Sequence, residues 1–428
     1  MKKMTTALAL SAMLLSSFCA FAAGDGASET KAHIKPYGFI RNYAIADSRK
    51  NQTLTEEIFY IIPLDRNEVN GVDVNAVPSF KYQALTTRLG LDVVDYKIGQ
   101  TQITGKIEAD FYCLNSSGNT PTLRMRLAYM DLKWDYADLR IGQAWHPMAA
   151  DMPHGINLET GVPFNPFSRT AQIMFNGYLG KHFVITAGIL EQLQYRSVGP
   201  DQSDMTKTVA SNNYAKYSMI PEAYVGLSFK TGGFLARAGV DLLTIKPRYG
   251  YTAAGEKIKD MLFTVSPFVY AQYSSGKFEV KAKSVLAQAG EHMQMLSGYA
   301  AVEKVSDAEY KYSPLQQSAS FISFQYGRTL QAQMLLGYTQ NLGTIRPVLN
   351  GNSNYIYIHG NGFKNINSIG RITPTLIYNL GKCQFALEYN LTGVRYGNIN
   401  SLDKYGLAVN DLHFVFNHRL SLMTKFTF

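Results

Sequence analysis

The sequence predicts an all-β fold: a 16-stranded antiparallel transmembrane β-barrel with short periplasmic turns and long extracellular loops. Three observations carry this. Counting down in twos from Phe428 gives Phe426, Thr424, Leu422 and Leu420, whereas Lys425, Met423, Ser421 and Arg419 fall between them, so this segment has one greasy and one mostly polar face. The same alternation recurs through the chain. Beyond the N-terminus, no apolar run approaches the roughly 20 residues that a spanning helix needs. Composition agrees: 46% hydrophobic residues is ordinary, because only every second residue of a barrel strand meets lipid.

The chain opens with a targeting segment. Lys2 and Lys3 supply a positive start, Ala7 to Leu15 the apolar core, and Ala20-Phe21-Ala22 the cleavage pattern. Residues 1–22 are therefore read as a cleaved signal peptide, 23–33 as a short periplasmic segment and 34–428 as one barrel domain. Phe18 is too bulky for the position before a lipidated Cys19. Cys113 and Cys383 are expected near opposite rims, too far apart for a disulfide.

The first strand is expected at Ile34–Ala44 and the last at Phe428. Between them, turns are read at Asp95-Tyr96, Asp135-Tyr136, Gly180-Lys181, Thr231-Gly232-Gly233, Ser275-Gly276, Gly327-Arg328 and Gly381-Lys382. Aromatics beside the turns, among them Tyr136, Tyr178, Phe183, Phe234, Phe278, Tyr326 and Phe385, suggest an interfacial girdle. Eight longer polar connections alternate with the turns, at about 46–78, 113–121, 146–170, 192–219, 246–260, 288–317, 340–368 and 392–411.

Parity sorts each strand. Leu85, Thr87, Leu89, Leu91 and Val93 face out, with Arg88 and Asp92 in. Leu123, Met125 and Leu127 face out, with Arg124 and Arg126 in. The inward, pore-lining set comprises Arg41, Arg88, Lys106, Glu108, Asp110, Arg124, Arg126, Arg140, Lys281, Lys283, Arg371 and Arg419, with Arg237 and Lys425 beside them. Inward acids are fewer, among them Asp241, Glu279 and Glu388. A surplus of positive charge inside a water-filled barrel concentrates anions. The predicted function is a passive outer-membrane channel for small hydrophilic, preferentially anionic solutes. Alternatives are a channel for phosphate or sugars, with Tyr37, Phe39 and Tyr43 beginning an aromatic track, or a plugged barrel acting as a surface interaction protein.

Connection 146–170, HPMAADMPHGINLETGVPFNPFSRT, is stiffened by prolines and is the expected constriction, with Asp151, His154, Glu159 and Arg169 directed at the basic wall. His146, Asp151, His154 and Glu159 match no metal-ligand spacing, so neither metal nor cofactor is predicted. There is no G-x-S-x-G, H-E-x-x-H or phosphate loop, hence no enzyme is predicted. Basic residues spread over alternate strand positions give no nucleic-acid footprint. Expected partners are small anions, outer-membrane lipid and, through Phe428, the barrel-assembly machinery.

Five segments carry a family resemblance: Gly38-Phe39-Ile40-Arg41, Thr87-Arg88-Leu89-Gly90, Lys106-Ile107-Glu108-Ala109-Asp110-Phe111, Leu123-Arg124-Met125-Arg126-Leu127-Ala128-Tyr129 and Ile141-Gly142-Gln143-Ala144-Trp145. Together they resemble the DcaP-like outer-membrane porins. That resemblance implies a homotrimer taking up small dicarboxylates, with Arg41, Arg88, Lys106, Glu108, Arg124 and Arg126 along the passage. The chain departs from the family where Met174 follows Gln172-Ile173 in place of an arginine, and where the segment before the first strand is too short for a coiled coil.

Overall fold

The computed structural model describes residues 29–114, 120–359 and 363–428. Residues 1–28, with the segment 1–22 that the sequence suggests is a signal peptide, lie outside them. The barrel strands are β1 (His33–Asp47), β2 (Ser79–Gln83 and Arg88–Ile98, one strand broken in the middle), β3 (Thr101–Leu114), β4 (Pro121–Lys133) and β5 (Ala137–Trp145). They continue as β6 (Arg169–Leu179), β7 (Phe183–Glu191), β8 (Glu222–Thr231), β9 (Phe234–Ile245), β10 (Leu262–Ser275) and β11 (Phe278–Gln288). The last five are β12 (Glu309–Gly327), β13 (Leu330–Thr344), β14 (Ile366–Leu380), β15 (Cys383–Tyr396) and β16 (His413–Thr427).

Each strand pairs antiparallel with the next, and β1 pairs with β16 from Phe39↔Thr427 to Asp47↔Arg419, which closes the cylinder. Closure satisfies every edge, the condition for a sheet in hydrocarbon. At the seam the Phe428 N–H donates to the Gly38 carbonyl at 3.1 Å. A Cβ on Gly38 would lie 2.6 Å from the Phe428 ring, so the terminal ring sits where only glycine leaves room.

On β16, Leu420, Leu422 and Phe426 are exposed while Arg419, Ser421 and Met423 are buried, as the parity predicts. Ile107, Val269, Ile372, Leu376 and Leu387 extend the apolar exterior, and Tyr136, Tyr178, Phe183, Phe234, Phe278, Tyr326 and Phe385 ring its turn end. An apolar surface this continuous marks a face that meets lipid. No helix among the described residues is long and apolar enough to cross a membrane.

The structure departs from the sequence reading in four places. The first turn falls at Gly99-Gln100 and not at Asp95-Tyr96, because a bulge between Val93 and Tyr96 carries β2 on to Ile98. Asp95 takes a left-handed φ of 67° inside that bulge, turn chemistry that does not end the strand. Leu85 is buried within the barrel, because β2 breaks between Gln83 and Arg88 and its parity reverses there. Leu127 is likewise buried, at the bulge where Leu127 and Met125 oppose Glu108 and Ala109. The sixth connection is shorter than 288–317, since β12 starts at Glu309 and a strand over Gly298–Ser306 folds back along it.

Of the leading segment, Glu29 bridges Ile98 and the Thr30 N–H donates to the Lys97 carbonyl at 3.1 Å. Cys113 and Cys383 are free thiols at the loop end of β3 and the turn end of β15.

Candidate functional site: the barrel interior

Residues 146–168 leave β5 and fold inside the barrel, where Met148, Val162, Phe164 and Asn165 are completely buried. Backbone groups of this inward loop serve as partners for wall side chains. The Tyr43 hydroxyl donates to the Ile156 carbonyl at 2.6 Å, and the Ile156 N–H donates to Glu388 at 2.9 Å. Lys281 donates to the Met152 carbonyl at 3.4 Å, while Lys283 donates to the Met148 carbonyl and, at 3.0 Å, to Asn165. β1, β11 and β15 thus hold one loop between them. Asp151 binds Arg237, His154 lies 2.8 Å from Glu279, and Glu159 lies 3.6 Å from Arg371. Burial pushes the Glu159 carboxyl up, against the pull of Arg371 and Arg419.

A second loop enters as well. Residues 59–63, Phe-Tyr-Ile-Ile-Pro, are all buried in the connection between β1 and β2. Arg371 joins the two loops: it donates to Val162 of one at 2.8 Å, to Ile61 of the other at 2.5 Å, and to Thr392 on β15 at 2.9 Å. The Tyr60 ring lies 4.8 Å beneath Arg371 and 4.5 Å beneath Arg419. Arg419 is itself held by Asp47 at 2.9 Å on both arms. Sequence reasoning missed this loop, although the run Ile58–Ile62, five consecutive apolar residues, is the signal.

The remaining inward cations sort by partner. Arg88, Arg124 and Arg126 share Glu108 and Asp110, with Arg126 2.8 and 2.7 Å from the two carboxylates. Lys106 pairs with Asp92 at 2.6 Å, Arg140 with Asp131 at 2.8 Å and Lys281 with Glu279 at 3.3 Å. Arg41 donates to Thr86 at 2.8 and 3.0 Å, and Lys425 lies 5.9 Å from the Phe39 ring. Among the described residues, neither forms a salt bridge.

Arg41 and Lys425 border a cavity of about 300 Å³ on the turn side of the inward loop. Gln325, Gln331, Gln333 and Gln384 share its wall with Ile377 and Met423, and Gly155 and Ile156 of the loop border it as well. The aromatic track begun by Tyr37, Phe39 and Tyr43 is already covered. Arg41 and Arg88 each lie 4.9 Å over the Phe39 ring, Lys106 lies 4.3 Å over Tyr37, and Tyr43 is fully buried.

His146, Asp151, His154 and Glu159 are not brought together; each meets a different wall residue. His146 instead shares Glu222 with His292, at 2.6 and 3.2 Å, in a fully buried cluster of metal-ligating types. The Met148 N–H donates to Nδ1 of His146 at 3.1 Å, so the ring proton resides on Nε2 and points at Glu222. A metal on that nitrogen requires the opposite protonation pattern, so this donor set does not fit one. The arrangement is a carboxylate held between two imidazoles, fixing the start of the inward loop to β8.

A closed sixteen-stranded barrel with a loop folded into its interior defines the porin class of fold. The chain is similar to the outer membrane channel DcaP of Acinetobacter baumannii, with a TM-score of 0.67 at 17% identity over 95% of this chain and 100% of that one. It is also similar to an anion-selective porin from Comamonas acidovorans (TM-score 0.53, 10% identity, 93% and 100% covered). The trimer form of OmpT from Vibrio cholerae matches with a TM-score of 0.52 at 10% identity, over 93% and 100%. No family model and no curated protein matches the sequence.

Proposed function

We propose that this chain is an outer-membrane porin, a passive aqueous channel that favours small anions such as dicarboxylates. The observation that carries the reading is the cavity beside the inward loop, bordered by Arg41 and Lys425, neither of which has a carboxylate partner among the described residues. A guanidinium grips a carboxylate with two parallel hydrogen bonds, and an ammonium beside it adds a second positive charge. The glutamine amides offer donors and acceptors to the rest of the solute. The inward loop serves as the constriction, with Asp151, His154 and Glu159 on its course, whereas Arg169, expected on the loop, stands just past its end as the first residue of β6. Arg41, Arg88, Lys106, Glu108, Asp110, Arg124, Arg126, Arg140 and Lys281 set the field along the wall, whereas Lys283, Arg371 and Arg419 act mainly by holding loops in place.

The family resemblance supports assembly as a homotrimer, and the apolar last strand ending in Phe428 suits a signal read by the barrel-assembly machinery. A leader over residues 1–22 fits export to that membrane. Uptake into liposomes tests the reading: a dicarboxylate is expected to enter faster than a neutral sugar of equal size, and equal or reversed rates contradict it.

A second reading has its own support. Two inward loops packed this deeply suit a plugged barrel used for surface interaction. Purified protein in a planar bilayer separates the two, because a plugged barrel gives no current steps.

A further inference from the structure

We propose that Arg169 and Tyr195 hold a small inorganic anion of halide size at a buried site at the end of the inward loop. Arg169 opens β6 and is the register partner of Trp145 on β5. Its guanidinium lies 4.5 Å over the Trp145 ring and 5.6 Å from that of Phe167, and the residue is 1% exposed. Both terminal nitrogens, Nη1 and Nη2, are buried without a hydrogen-bond partner. The Tyr195 hydroxyl, from the connection between β7 and β8, is also buried and unpartnered, and its ring lies 6.2 Å from Phe167. Two sets of buried hydrogen-bond donors therefore lie near one phenyl ring without partners.

The charges nearby are wrong for self-sufficiency. Arg124 and Arg126 are the charged neighbours that Arg169 and Tyr195 share. Asp110 has both oxygens occupied: Arg124 takes Oδ1 at 2.8 Å and Arg126 takes Oδ2 at 2.7 Å. Glu108 is divided between Arg88 and Arg126. Three guanidiniums thus share two carboxylates, and Arg169 adds a fourth positive charge with no ion pair of its own. Arginine does not give up its proton, so the surplus stays positive, and buried charge requires a counter-charge. Water would satisfy the orphan donors but not the surplus. The donors lie among the Trp145, Phe167 and Tyr195 rings, apolar surroundings that favour a small, weakly hydrated ion. The site rests on this geometry and not on the permeation reading.

Trp145 is a built-in reporter, because bromide held against the guanidinium above its ring quenches its fluorescence. Trp134, the second tryptophan of the chain, lies at the β4–β5 turn and is removed as W134F. Sodium bromide is titrated against gluconate at constant ionic strength into detergent-solubilised W134F protein. The expected result is saturable quenching. R169Q should raise the half-saturating bromide concentration about tenfold or more. Y195F, which keeps the ring and removes only the hydroxyl, should raise it several-fold and carries the test if R169Q does not fold. Quenching that rises linearly with bromide, unchanged by Y195F and R169Q, overturns the site whatever the channel's selectivity.

Discussion

Arg41 and Lys425 are register partners across the seam that closes the barrel, and both border the same cavity. Like charges directly opposite on neighbouring strands are destabilising, by about 0.2–1 kcal/mol on the scale of cross-strand pairs. A pairing that costs stability at the closing seam is what a binding function leaves behind. Replacing Lys425 by Gln is therefore expected to stabilise the barrel by roughly 0.5 kcal/mol. Urea unfolding of vesicle-embedded protein checks this, and a loss of stability on K425Q would contradict the repulsion.

Removing Arg371 frees two loops at once. Its guanidinium bonds to carbonyls of both inward loops and to Thr392. R371M leaves those acceptors buried and Glu159 unpaired, a loss of about 3–5 kcal/mol by the measure of broken buried pairs. R371K should not rescue it, since one ammonium cannot reproduce the planar fork. Single-channel records should show larger and noisier current steps in both variants, with the loops no longer tied together.

Acid should loosen the tip of the inward loop through His154. The Ser323 hydroxyl accepts from the His154 backbone N–H at 3.3 Å and faces Nδ1 at 3.2 Å; with the ring proton on Nε2, against the Glu279 carboxylate, the hydroxyl donates to Nδ1. Nε2–H then donates to Glu279. Burial first, and then Lys281, hold the imidazole pKa below its usual 6.5, although Glu279 pulls the other way. The sign follows: with the folded value depressed, the unfolded loop takes up the proton first. Docking is intact above about pH 6.5 and weakens as pH falls from there through the folded value. Amide exchange over residues 152–158 should quicken between neutral and mildly acidic pH, and H154Q should flatten that response.

Gly337 on β13 provides the seat for Phe164, because a Cβ there would lie 2.4 Å from the ring. G337A is expected to cost about 1–3 kcal/mol by overpacking. Shortening the opposing side chain should relieve it, so G337A/F164L should lose less than G337A alone. Equal losses would mean that the ring does not seat on this glycine.

Strand number, chain closure and the interior charges of β16 were legible because alternation is a period-two signal, and a buried or lipid-facing side enforces it over many residues. Six of the seven turns follow from their Gly or Asp chemistry. Register is where sequence fails: the Val93–Tyr96 bulge, the break between Gln83 and Arg88 and the doubling at Leu127 each shift parity by one residue. A bulge is decided by the neighbouring strand, which local sequence does not contain. The inward course of 146–168 was suggested by its prolines and ionisable residues. Which wall groups are spent on holding it was not legible, because Arg371, Arg419 and Lys283 meet backbone carbonyls of loops more than a hundred residues away. The same blindness hid Phe59–Pro63, whose partners lie on β14, β15 and β16.

The central claim is that the free cations at the seam set the charge preference. The zero-current potential across a bilayer with a potassium chloride gradient measures it, for the parent protein beside R41Q/K425Q. The predicted result is an anion-selective sign in the parent that moves toward neutrality or cation preference in the double variant. Cation preference in the parent, or an identical potential in both, would contradict it.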